Sequence, residues 1–163
     1  MKKIISMVLC AAMLVGLFGC EMTTDQREIS VYLNDERLEL DIAPRITGGH
    51  IFMPMKAIYE ALEFDIEWDS ETQKIYASPK NGTALIIEMQ VANPVLTYGR
   101  AIPAVWLEDD IILDAPPQMM DGHILVPLDA ITVVRGVYID WCEDTKTVMI
   151  TTADYFQWVV RSP

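Results

Sequence analysis

The chain repeats itself. Residues 38–78 align without a gap on residues 111–151, at an offset of 73, and twelve of the 41 aligned positions are identical. The identities include Asp41/Asp114, Pro44/Pro117, Gly49-His50-Ile51/Gly122-His123-Ile124, Pro54/Pro127, Ala57-Ile58/Ala130-Ile131, Trp68/Trp141 and Thr72/Thr145. An internal repeat constrains the architecture before any local signal does, because whatever the unit folds into is made twice. Most of the shared residues are glycine, proline, tryptophan or apolar, which shape a fold and do not react.

Each copy reads as strand, turn, helix, strand, turn, strand. Short apolar strands are predicted over residues 38–42 and 111–115, stopped by Pro44 and by Pro116-Pro117, since proline cannot donate to a strand ladder. Gly48-Gly49 and Asp121-Gly122 follow as tight turns. Pro54 and Pro127 stand where helices would begin, a position that tolerates the missing N–H. In the first helix Met55, Ile58, Tyr59 and Leu62 fall at i, i+3, i+4 and i+7, one buried face. The second helix has Leu128, Ile131 and Val134 or Arg135 in the equivalent places but is rich in β-branched residues and ends at Gly136. The period then becomes two. Phe64, Ile66 and Trp68, and in the second copy Val137, Ile139 and Trp141, alternate with polar or tyrosine residues, as in a strand with one buried face. Closing strands follow at residues 74–78 and 147–152, and further strands are expected at 31–33, 84–90, 95–98 and 105–107.

This pattern predicts an α+β fold: two sequence-repeated strand–helix–strand units, with antiparallel sheets, packed into one compact module. A unit of roughly 50 residues is a poor core alone, so the copies should pack together. The predicted module spans residues 29–152, with copies at about 29–80 and 95–152 and an aromatic tail over 153–163.

The first nineteen residues read as a leader and not as fold. Lys2 and Lys3 form a charged start, and residues 4–18 an apolar run shorter than a comfortable membrane span. The run ends in Leu17-Phe18-Gly19-Cys20, which resembles the lipobox of bacterial lipoproteins. That resemblance implies cleavage before Cys20 and a diacylglycerol, with palmitate-type chains, on its sulfur. Two acyl chains anchor stably where one is marginal. Residues 20–28 read as a polar tether.

Cleavage would remove Lys2 and Lys3 but no acidic residue, taking the formal charge from −12 to −14. That balance argues against nucleic acid, which needs basic patches, and against adsorption on anionic lipid. Of three cysteines, Cys10 would leave with the leader and Cys20 carry lipid, so Cys142 remains and no disulfide framework exists.

The motifs then become familiar. Gly49-His50-Ile51-Phe52-Met53-Pro54-Met55-Lys56, with Ile66-Glu67-Trp68-Asp69 downstream, and Asp121-Gly122-His123-Ile124-Leu125-Val126-Pro127-Leu128, with Ile139-Asp140-Trp141, follow one pattern. It resembles the copper amine oxidase N-terminal-like domain family, also called the stalk domain, and covers nearly all of residues 29–152. The resemblance implies an exported, usually surface-attached accessory module, since copper and the modified tyrosine of the oxidases belong to a separate catalytic domain. The chain departs from the pattern where Lys56 and Asp129 replace arginine, Glu63 replaces glycine, and Cys142 replaces aspartate.

Reactive residues are few. His50 near Met53 and Met55, and His123 near Met119 and Met120, form a candidate soft-metal set, since imidazole and thioether suit Cu(I). Against that, both histidines follow turn glycines, where an exposed polar residue is ordinary. No nucleophile sits in a recognisable elbow, and Glu108-Asp109-Asp110 reads as a solvated run. Trp68 and Trp141 are expected in the core, with a carbohydrate-stacking platform as the alternative. The tail Tyr155-Phe156-Gln157-Trp158-Val159-Val160 is expected to cap a sheet edge or to meet a partner.

The function expected is a lipid-anchored, extracytoplasmic, non-catalytic binding or scaffolding module at the bacterial cell envelope. No catalytic residue, cofactor or metal is expected. The partners expected are the membrane, through Cys20, and an envelope protein or glycan. The alternative is a small-ligand or copper-binding envelope lipoprotein.

Overall fold

The computed structural model describes residues 28–82, 85–102 and 105–154. The leader, Cys20 and the aromatic tail from Tyr155 onward lie outside them. The strands before and within the first copy are β1 (Ser30–Leu33), β2 (Glu36–Arg37), β3 (Arg45–Thr47), β4 (His50–Pro54), β5 (Phe64–Asp69) and β6 (Lys74–Pro79), with helix α1 (Met55–Ala61) between β4 and β5. The connection between copies forms β7 (Leu85–Gln90), β8 (Asn93–Ile102) and β9 (Val105–Ile112). The second copy has β10 (Gln118–Met120), β11 (His123–Pro127), α2 (Asp129–Thr132), β12 (Val137–Cys142) and β13 (Thr147–Thr152). Each of β10 to β13 begins and ends 73 residues after its counterpart in the first copy.

Three sheets result. The central one runs β10-β11-β4-β3 and joins the copies through an antiparallel β4–β11 pair. Its register is symmetric: Phe52 faces Pro127, Met53 faces Val126, and Pro54 faces Leu125. Met53 and Val126 are themselves repeat equivalents, so a local two-fold passes through that pair. The flanking sheets differ because their closing strands find different neighbours. β6 takes β7 antiparallel, giving the five-stranded order β5-β6-β7-β8-β9. β13 takes β1 in parallel, giving β12-β13-β1-β2, so the strand before the first copy completes the sheet of the second.

The fold is therefore mostly β, and the expected α+β balance is overturned. Among the described residues thirteen strands stand against helices of seven and four residues. The helices fail to grow for local reasons. α1 ends at Ala61, and two residues on Glu63 adopts φ +63, which no helix continues through. α2 runs into Ile131, Thr132, Val133 and Val134, whose branched side chains lose rotamer freedom in a helix. The expected all-antiparallel pairing is also broken by β1–β13. Nor do residues 38–42 form a strand: they are irregular, with Leu38 and Leu40 half-buried, and only Ile111 and Ile112 of the second counterpart lie in one.

The core is apolar, and no polar or charged residue is buried among the described ones. Met53, Met55, Ile58, Tyr59, Val126 and Ile131 are all buried where the copies meet. Tyr59 on α1 donates its hydroxyl to the Ala130 carbonyl of α2 at 2.8 Å and meets Phe64 edge to face at 5.6 Å. Burial, with the Asp129 carboxylate adding to it, pushes the Tyr59 phenol well above its ordinary range.

Candidate functional site

The antiparallel β4–β11 pair sets the β10–β11 turn of the second copy beside α1 of the first, and the β3–β4 turn beside α2. Two clefts follow, each built from both copies. The larger, about 440 Å³, lies between the start of α1 (Met55, Lys56), the indole of Trp68 on β5, and Met119 and His123 of the β10–β11 hairpin. Asp41 and Ile42 form its rim. The smaller, about 160 Å³, is lined by Gly49, His50, Ile51, Asp114, Pro127, Leu128 and Asp129. Every one of these seven is the repeat equivalent of a residue lining the larger cleft.

The clefts began as one design and now differ at identifiable side chains. In the small cleft Asp129 Oδ2 accepts the backbone N–H of Asp114 at 2.7 Å, tying the rim to the helix start. The equivalent pair in the large cleft is Asp41 and Lys56. Lysine cannot accept a hydrogen bond, so no such tie can form there. Lys56 instead leaves 77% of its side chain exposed and reaches Glu60 at 3.9 Å, a surface pair that holds little.

The tryptophans diverge in the same sense. Both are expected in the core; Trp141 is half-buried and packs against it, whereas Trp68 is exposed. Each lies next to the end of an edge strand, β5 or β12. Trp141 is half-buried, its indole N–H donates to Glu143 Oε2 at 3.2 Å, and Lys146 Nζ lies 5.8 Å from the ring centre. Lys146 is held there by its ion pair with Glu143. In the first copy Ser70 and Gln73 occupy these two positions. Trp68 accordingly has neither latch, is 39% exposed, and faces the large cleft. Among the described residues nothing accepts a hydrogen bond from its indole.

The candidate metal set is divided by the same geometry. In an antiparallel pair, repeat equivalents lie toward opposite ends, so His50 and His123 stand about 20 Å apart along the strands at ~3.3 Å per residue. Each lines its own cleft. Met119 shares the large cleft with His123, and Met120 faces His123 across the β10–β11 ladder. Met53 and Met55 are buried. Among the described residues no three His, Cys, Asp or Glu side chains converge on a metal-sized site. Cys142 is exposed at the end of β12, and hydrogen bonding from Thr145 lowers its thiol below the ordinary value.

Asp41 and Lys56, a shared identity and a departure from the family pattern in the sequence, are cleft residues that the sequence did not assign to a site. The signal lay in the repeat: Asp41/Asp114 is a shared polar residue, and Lys56/Asp129 reverses charge between otherwise similar segments.

With this geometry established, comparison with known proteins gives one match. The family model described as copper amine oxidase N-terminal domain matches residues 32–150, which takes in both copies and both clefts. No curated protein and no solved structure matches the chain.

Proposed function

Because the chain belongs to the copper amine oxidase N-terminal domain family, we propose that it is a non-catalytic binding module. In this reading it is held at the outer face of a bacterial membrane by lipid on Cys20 and presents its open cleft to a partner in the cell envelope. The observation that carries the binding role is the divergence of the two clefts: one, of about 160 Å³, has its rim tied to the helix start through Asp129, while its counterpart keeps about 440 Å³ and a tryptophan 39% exposed. Packing alone gives no reason to leave a tryptophan uncovered beside an open cleft. The lining of the large cleft supports a reading without a hydroxyl or thiol nucleophile. His123 lines it with Asp41 and Lys56, and no serine, cysteine or threonine is among the lining residues.

The anchor is tested by metabolic labelling with a palmitate analogue in a bacterial host. Label should follow the chain into the envelope fraction and vanish in Cys20→Ser. Unlabelled chain in the cytoplasm would overturn the reading.

A second reading takes the large cleft as a soft-metal site, favoured by Met119 and His123 lining it together. Cu(I) titration tests it, since binding unaltered by His123→Ala removes it.

A further inference from the structure

We propose that the large cleft binds a neutral pyranose ring of a glycan, stacked on Trp68. This deepens the reading of the chain as a binding module and rests on it. The argument starts from the two tryptophans. They occupy the same position of the same unit, at the end of the same edge strand. Trp141 has its polar handle satisfied by Glu143 and a cation on its ring. Trp68 has serine and glutamine in those places, keeps its N–H available, and lines an open cleft. An indole in that state offers an apolar face and one donor, which is what a sugar ring with C–H groups on one side and hydroxyls on its rim can use.

The charges around the indole select the ligand class. Asp41 supplies a carboxylate and Lys56 an ammonium to the same cleft, with His123 as a further donor or acceptor. An anionic ligand meets Asp41 and a chain of net charge −12. A cationic ligand, which the indole face would otherwise suit, meets Lys56. A neutral polyol gains from both, since each hydroxyl donates and accepts. Ile42, Ile66 and Met119 supply the apolar contact a ring needs. The cleft volume of about 440 Å³ lies low in the range of roughly 300–1,000 Å³ typical of small-ligand sites. That suits one or two sugar units of a chain that runs on past the exposed rim.

The full-length chain in detergent is titrated with N-acetylchitotetraose, for amino-sugar polymers, and with cellotetraose, for plain hexose polymers. Calorimetry gives affinity, and the indole N–H resonances, with Trp68 assigned by Trp68→Phe, report the site. At least one tetraose should shift the Trp68 signal and leave that of Trp141 in place. Trp68→Ala should weaken binding by about tenfold or more. Because that variant disturbs a strand end, a second one rebuilds the latch of the other copy, Ser70→Glu with Gln73→Lys. Lysine already takes the needed backbone there, since Gln73 has φ 55 and Lys146 φ 51. The double variant should lose binding equally while melting at an unchanged temperature. No response to either sugar, or binding that survives both variants, overturns the proposal. So does a Trp68 shift produced by Cu(I) alone with no sugar response. Failure here with Cys20 labelling intact removes the glycan and leaves the envelope module, whereas sugar binding without labelling removes the anchor.

Discussion

Met53 and Val126 face each other across β4 and β11, and they are the same position of the two repeat copies. Both are fully buried. The contact that joins the halves is therefore one residue position meeting itself. Met53→Ala should destabilise the protein by about 2–5 kcal/mol and Val126→Ala by about 2 kcal/mol. Because the cavities adjoin, the double variant should depart from additivity by more than about 0.5 kcal/mol in urea melts. Strict additivity would mean that the two side chains do not share a cavity.

Tyr59 ties the two helices through its bond to the Ala130 carbonyl. Tyr59→Phe leaves that carbonyl unpaired and should cost about 1–2 kcal/mol. The phenol also makes stability fall in alkali. Its folded pKa is raised, so the contribution is complete below the unfolded value near ~10 and is lost as pH rises toward the folded value. Stability measured from pH 9 to 11, values spanning ~10, should decline less steeply in Tyr59→Phe. Parallel curves would show that Tyr59 ionises freely.

Glu63 and Gly136 are repeat equivalents, and both have positive φ, +63 and +80. Only glycine adopts that backbone without strain. Glu63→Gly should therefore stabilise by up to about 1 kcal/mol. Gly136→Ala should destabilise by more than the ~1–2 kcal/mol of backbone strain alone, because its new Cβ would lie 3.1 Å from Ala153 Cβ. Thermal melts of the two variants should move in opposite directions. Two shifts of one sign would refute the account.

Cys142 is exposed, and hydrogen bonding from Thr145 lowers its thiol. A depressed pKa keeps the thiolate populated to lower pH, so alkylation should reach half its maximal rate below the ordinary thiol value. Thr145→Val should move that midpoint upward. An unmoved midpoint would mean that Thr145 does not hold the thiolate.

Much of the fold was legible because strands and turns are local. The alternation from Phe64 to Trp68, the turn glycines Gly49 and Gly122, and the offset of 73 place elements that the structure contains. Two errors came from reading local apolar pattern as regular structure. Leu38 and Leu40 pack as irregular chain, and the β-branched run from Ile131 supports one turn of helix, short of the expected span to Gly136. Trp68 misled for a further reason. Strand phase says which face a side chain takes, and both tryptophans lie on the apolar phase, yet Trp141 packs against the core and Trp68 is exposed. Phase alone does not say how much of that face is covered.

By itself the sequence determined the repeated unit, the positions of its strands and turns, and its apolar faces, because these follow from spacing along a few consecutive residues. The tertiary structure alone decided that β4 pairs with β11, that β1 closes the sheet of the distant copy, and hence that each cleft combines a hairpin of one copy with a helix of the other. Such pairings depend on surfaces far apart in the chain, and two copies of one pattern offer similar surfaces that no local pattern can rank. The open cleft over Trp68 belongs to that second category: its residues come from positions 41 to 124, and only the packing brings them together.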